Sequence, residues 1–170
     1  MERRQKAATK EDVMQEYKIL VVDDEADFVQ SLTDRLELRK MKAEVALNGE
    51  DALQKVVDEE PEVMVLDLKM PGMDGLEVLQ RVKNAYPTTQ VIILTGHGSP
   101  EARAKAGKMG AYAYLEKPVE MDTLMETINR AYSQFKKVKH NVDTAFMGAA
   151  IAAAGELDLA QRVMNEEFEE

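Results

Sequence analysis

The sequence predicts a doubly wound α/β domain built on five parallel strands, and two observations carry that reading. Short apolar runs recur at regular intervals, KILVV (18–22), AEVAL (43–47), EVMVL (62–66), QVIIL (90–94) and AYAYL (111–115), and the stretches between them space apolar residues as helices do. Runs apolar at every position need cover on both faces. Alternation with helices supplies that cover through right-handed crossovers.

Each element has its own local support. After the first run, Phe28, Leu32 and Leu36 line one face of a helix. Asn48-Gly49 opens the second helix, which carries Ala52 and Val56 on its apolar side and ends before Pro61. Pro71-Gly72 turns the chain sharply after the third run, and Leu76, Leu79 and Val82 mark the third helix. Ser99-Pro100 has the form of a cap followed by proline in the first turn. The helix it opens, PEARAKAGKMG, is poor in large apolar residues and interrupted by Gly107, so it is expected to be the most loosely held. A fifth helix over about 121–136 presents Leu124, Ile128, Ala131 and Phe135 and closes the domain.

The expected organisation is a polar N-terminal leader (1–16), the folded domain (17–137) and an acidic, alanine-rich, helical C-terminal tail (138–170). In the tail Asp143 reads as a cap for 144–154 and Gly155 as a break. Leu157, Ala160, Met164 and Phe168 then line a second short helix. Such a stripe needs cover from its own domain, from a second copy in a homodimer, or from a partner's groove.

Composition narrows the chemistry. The 170 residues hold 32 acids against 22 Lys and Arg, a formal charge of −10, which speaks against direct nucleic-acid binding. There is no cysteine, and the two histidines, His97 and His140, cannot build a zinc site, so any metal must be held by oxygen. His97 reads as a solvated loop residue. No apolar run approaches the roughly 18–20 residues of a membrane span, and the charged start lacks a secretory signal's apolar region. No membrane insertion and a cytoplasmic location are the expectation.

In an open parallel sheet, ligands bind beyond the carboxyl ends of the strands. The residues found there are Asp23 and Asp24 after the first run, Asp67 after the third, Thr95 after the fourth and Lys117-Pro118 after the fifth. Asp24 alone could be a helix cap and Asp67 alone a turn residue. Together, three acids at one edge suit Mg²⁺, with Mn²⁺ as a substitute. With a cation holding the charge, one carboxylate can act as nucleophile toward a phosphoryl group. Asp67 is the best placed, because LKMPGMDG turns away and leaves the site open above it. Lys117 would neutralise phosphoryl oxygens, and Thr95 could hydrogen-bond one.

Residues 17 to about 137 resemble the receiver domain of bacterial two-component response regulators, through VVDDEAD, VMVLDLKMPGMDGLEVL, VIILTGHGS and GAYAYLEKPVE in the family's order. The resemblance implies the flavodoxin-like strand order 2-1-3-4-5. It also implies Asp67 as phosphoacceptor, and Asp24, Asp67 and the backbone carbonyl of Lys69 as direct Mg²⁺ ligands, with Asp23 acting through water. Thr95 and Tyr114 become the switch pair, Lys117 the phosphate-binding lysine, and Lys117-Pro118 a cis peptide. Without that likeness Tyr114 would read as a packing residue sharing a face with Tyr112.

The implied function is a signalling phosphoprotein, not an enzyme, that assists its own phosphorylation and dephosphorylation. A histidine kinase or phosphotransfer protein is the donor, and the output is a change in protein contacts. An aspartyl-phosphate phosphohydrolase would need a second acid two residues after the nucleophile, where Lys69 stands. A flavin carrier on this topology would want hydroxyls and amides in the first loop, not Asp23 and Asp24. Because about thirty residues follow the receiver-like part, a stand-alone regulator is expected, with a receiver fragment of a longer transcriptional regulator as the alternative.

Overall fold

The apolar runs form strands, and all five strands lie parallel. The structure, a computed structural model, describes residues 17–166, with side chains through 155. The leader 1–16 and Phe168 therefore lie outside the described residues, as do the side chains on the expected second face of the tail. In chain order the elements are β1 (Ile19–Val22), α1 (Ala26–Glu37), β2 (Ala43–Ala46), α2 (Gly49–Glu59) and β3 (Val63–Leu66). There follow α3 (Gly75–Ala85), β4 (Gln90–Thr95), α4 (Pro100–Lys108), β5 (Ala113–Glu116) and α5 (Met121–Glu166).

The sheet order is β2-β1-β3-β4-β5, as the resemblance implies. Ile19 to Val22 of β1 pair in register with Ala43 to Ala46 on one side and Val63 to Leu66 on the other. Every residue of β1, β3 and β4 is buried, whereas β2 and β5, at the edges, are only partly so. Alternate side chains feed two cores. Leu20, Val22, Met64, Leu66, Val91 and Ile93 meet the helices α2 and α3 on one face. Ile19, Val21, Val63, Val65, Ile92 and Leu94 meet α1 and α5 on the other. Burying a large aliphatic side chain is worth about 1.5–3 kcal/mol, so this two-sided sheet dominates the favourable side of the fold.

Caps start the helices where the sequence places them. Asn48 accepts from the Asp51 N–H at 2.8 Å, Asp74 from Glu77 at 3.0 Å and Ser99 from Ala102 at 3.0 Å. Pro100 occupies the first turn of α4. That helix buries only Ala106, in keeping with the weak anchoring its sequence predicts, although Gly107 lies inside it and does not interrupt it.

Two expectations need correction. The fifth helix does not end near 136: α5 is one helix of 46 residues that runs on across position 137. Asp143 lies within it and caps nothing, and Gly155 does not interrupt it. A glycine costs only about 1 kcal/mol in a helix interior, which the preceding alanines, Ala152 to Ala154, offset through their high helix propensity. Tyr112 and Tyr114 do not share a face either. Tyr112 lies just before β5 and packs with the α1/α5 core, while Tyr114 packs with the other.

One close approach sets a limit on the sequence. A Cβ added at Gly75 would sit 2.1 Å from the Asp67 carbonyl oxygen and 2.7 Å from the Leu68 Cα, both backbone atoms that cannot step aside. Gly75→Ala is expected to destabilise the fold by about 1–3 kcal/mol or more through overpacking. Urea unfolding of wild type and variant measures this; equal midpoints would show that the α3 start can slide away freely.

Candidate functional site

Main-chain hydrogen bonds carry the sheet pairing one residue past the strands, and the residues they hold are those of the site. The Asp23 N–H donates to the Ala46 carbonyl at 3.1 Å, Asp67 to Val22 at 2.9 Å and Lys117 to Thr95 at 2.9 Å. The backbone under each functional side chain is thus fixed to its neighbour. Gly72 then turns the chain with a positive φ of 82°, and the Gly75 N–H returns to the Leu68 carbonyl at 2.8 Å.

The carboxylate oxygens of Asp23, Asp24 and Asp67 lie within 4.8 Å of one another. Asp24 is exposed, whereas Asp23 and Asp67 are only 2% and 4% exposed. The acids are not there to start a helix. Glu25 occupies the cap position of α1 with no side-chain cap bond, although Asp23 Oδ1 accepts the Glu25 N–H at 2.9 Å. Asp67 is more enclosed than the sequence suggests, and its Oδ1 is buried with no hydrogen-bond partner.

Lys117 is the counter-charge. Its Nζ lies 2.5 Å from Asp23 Oδ2 and 3.7 Å from Glu25 Oε1, and 3.9 Å above the centre of the Phe28 ring. Breaking a buried pair typically costs about 3–5 kcal/mol, against 0–1 for an exposed pair such as Arg81 with Glu77. The Asp23–Lys117 pair is therefore the ion pair that matters. Lys117-Pro118 is cis, as the resemblance implies, and Pro118 is exposed.

Burial raises the Asp67 pKa above the ordinary aspartate value, and the negative charge of Asp23 adds to this. The Thr95 hydroxyl, Lys117 and the Leu68 N–H act in the opposite direction. One ammonium cannot balance three clustered carboxylates. An oxygen-only donor set with an orphaned buried Oδ1 fits Mg²⁺, a hard cation that takes one or two carboxylates and keeps several waters.

Thr95 is fully buried at the end of β4 and accepts the His97 N–H at 3.2 Å. Tyr114, on β5, has a buried hydroxyl with no partner. Arg103 of α4 lies 4.5 Å above the Tyr114 ring and donates to the Tyr114 carbonyl at 3.4 Å and to Glu116 at 3.1 Å. Lys69 and His97 are exposed on adjoining loops. Asp23, Asp24, Asp67, Thr95 and Lys117 thus converge on one edge, while Tyr114 sits one strand further along. Arg103, which touches Tyr114, was not singled out in the sequence, and Phe28, read there only as part of the apolar face of the first helix, also lies against Lys117. They lie on helices, far in sequence from the groups they support.

The topology and this edge define the class: a flavodoxin-like α/β module with three acids clustered at the carboxyl edge of its sheet. The chain belongs to the response regulator receiver domain family, whose model matches residues 19–129. It is 37% identical over 127 residues to an NtrX-like response regulator of Rickettsia bellii, covering 74% of this chain and 27% of that one. It is 34% identical over 126 residues to the DNA-binding transcriptional regulator NtrC of Proteus hauseri, again 74% of this chain and 27% of the relative. Among solved structures, a CheY-like receiver domain from Methanospirillum hungatei JF-1 superposes with a TM-score of 0.70 at 30% identity, covering 72% of this chain and 98% of that one. The chain spans about a quarter of the length of these two curated relatives. Among the described residues, no helix is long and apolar enough to cross a membrane.

The raised Asp67 pKa has a stability consequence. The folded state holds the Asp67 proton more tightly than the unfolded chain does, so folding loses stability as pH rises from the unfolded value of about 3.9 through the folded one. In a metal chelator at neutral pH, Asp67→Asn is expected to unfold at a higher urea concentration than wild type. The gap should narrow toward pH 4 and in Mg²⁺. A variant less stable than wild type at neutral pH in chelator would contradict the charge repulsion.

Proposed function

We propose that the protein is a phosphorylation-controlled switch in which Asp67 accepts a phosphoryl group from a phosphohistidine of a histidine kinase or phosphotransfer protein. The observation that carries this reading is the buried Asp67 carboxylate with an unpartnered oxygen, set between two other acids and facing the region of Lys117 and Thr95. In the transfer an Asp67 oxygen forms the new bond to phosphorus as the phosphorus–nitrogen bond breaks. The imidazole leaves with that electron pair and takes up a proton. In-line approach asks the chain to position, not to supply further covalent chemistry.

Asp24 and Asp67, with the backbone carbonyl of Lys69, hold Mg²⁺ or Mn²⁺, and Asp23 acts through water. The cation's contribution is to neutralise the acids so that an anionic phosphoryl group can approach. Lys117 leaves its contact with Asp23 for the phosphoryl oxygens, and the Thr95 hydroxyl donates to another. The chain is a phosphoacceptor that assists its own phosphorylation and dephosphorylation, not an enzyme acting on a separate substrate. Its output is a change in protein contacts.

A second reading has its own support. The chain matches only about a quarter of an NtrX-like regulator and of NtrC, the latter a DNA-binding transcriptional regulator by name, so it also suits the receiver part of a longer regulator. In that case nucleic-acid binding would belong to another part of the molecule.

Mass spectrometry after incubation with acetyl phosphate is expected to show one phosphoryl group on wild type in Mg²⁺, none in chelator and none on Asp67→Asn. Equal labelling of the two proteins would remove Asp67 from the role. For the switch, Thr95→Ala is expected to take up phosphate but lose coupling to β5. NMR shifts over residues 104–117 should then respond to beryllofluoride in wild type and not in the variant. A full response in Thr95→Ala would place the coupling elsewhere.

A further inference from the structure

Lys117 is held away from the group it is proposed to neutralise. Its ion pairs among the described residues are with Asp23 at 2.5 Å and Glu25 at 3.7 Å, and none is with Asp67, the acid that would carry the phosphoryl group. The third contact is uncharged: Nζ stands 3.9 Å above the centre of the Phe28 ring. All three holders lie in the short segment 23–28, which is the β1–α1 loop and the first turn of α1.

The three differ in what they can do. Asp23 belongs to the acid cluster itself. Glu25 is 65% exposed, so water and salt screen its pull. The Phe28 ring faces an ammonium whose side chain is only 15% exposed, and a cation over an aromatic face is held more strongly as it is withdrawn from water. Neither partner of this contact is free to follow the other. Phe28 packs with the α1/α5 core and lines a groove with Leu32, Arg35, Pro118 and Val119, while the Lys117 N–H is tied to the Thr95 carbonyl at 2.9 Å. When the ammonium swings to a phosphoryl oxygen, the ring stays behind. A contact made only in the resting position stabilises that position alone.

We infer that Phe28 is a positioning residue, which holds the Lys117 ammonium against the β1–α1 segment and thereby opposes its transfer to a phosphoryl group on Asp67. The inference rests on the phosphoacceptor reading of Asp67. Its consequence is a raised threshold: the chain populates the phosphorylated arrangement less readily than it would with an aliphatic residue at position 28.

The probe is beryllofluoride with Mg²⁺, titrated into the full chain and followed by the NMR shift of the Lys117 amide. Phe28→Leu, which keeps apolar bulk and removes the ring, is expected to bind about three- to tenfold more tightly than wild type, the size of one desolvated cation–π contact. Phe28→Tyr keeps the ring face and should match wild type. Glu25→Gln should tighten binding by about twofold at most, as an exposed pair allows. The sign separates holding from support, because cutting back a residue that merely packs α1 would weaken binding, and urea midpoints report any loss of fold. Equal or weaker binding by Phe28→Leu, or tighter binding by Phe28→Tyr as well, overturns the proposal. So does a larger effect of Glu25→Gln. If Asp67→Asn bound beryllofluoride as wild type does, the phosphoacceptor reading would fall and the inference with it. Loss of binding in Asp67→Asn with no change in Phe28→Leu removes the role of the ring alone.

Discussion

The register of the central strands is the constraint from which the rest of the molecule follows. Three adjacent strands with every residue buried cannot slip by one position without exchanging the side chains assigned to the two cores. Because all are parallel, fixing that register also fixes which residues emerge at the carboxyl edge, and at what height. The pairing continues through the Asp23, Asp67 and Lys117 backbones, so site geometry is an extension of sheet geometry. Packing of Val21, Val65 and Ile92 thereby determines how closely three carboxylates must stand.

That closeness is unfavourable in itself. Asp23 and Asp67 are withdrawn from water, yet one ammonium serves both, and Asp67 Oδ1 has no donor. A buried polar atom without a partner costs roughly 1–3 kcal/mol, a large share of a typical domain's net stability of 5–15 kcal/mol. The two-sided core can absorb such a cost. A cation held at this edge would relieve repulsion already present, so the acid cluster is suited to one before it arrives.

Much of this was legible in the sequence because the same residues carry both the local and the global signal. Continuous apolar runs such as VIIL exist only where both faces are covered, and Asn48, Asp74 and Ser99 cap helices by bonds reaching three residues ahead. The strand-end acids were readable for the related reason that a carboxylate directly after such a run has few structural uses. What failed was of two kinds. The length of α5 depended on a balance of small propensities, in which Asp143 and Gly155 resemble stop signals but the alanines between them outweigh both. Contacts between distant elements were the other kind. Phe28 under Lys117, Arg103 over Tyr114 and Gly75 against the Asp67 backbone have no local signature, since each matters only through a neighbour that the fold brings to it.

Those distant contacts also locate the compliant part of the molecule. Between Thr95 and the outer surface stand Tyr114, with a buried hydroxyl lacking a partner, and Arg103, whose contacts with β5 are exposed. A Cβ at Gly98 would come within 2.7 Å of the Tyr114 hydroxyl, so the β4–α4 loop and the tyrosine compete for one space. α4 itself contributes a single buried residue, Ala106. The β1–β3–β4 centre resists displacement because each residue lost from it forfeits apolar burial on both sides. At the α4–β5 edge the opposing terms are one cation–π contact, one exposed ion pair, the buried Ala106 and partly buried residues such as Ala102, Met109 and Tyr114. A displacement of Thr95 would therefore meet little resistance there, because so little burial has to be given up at that edge of the sheet.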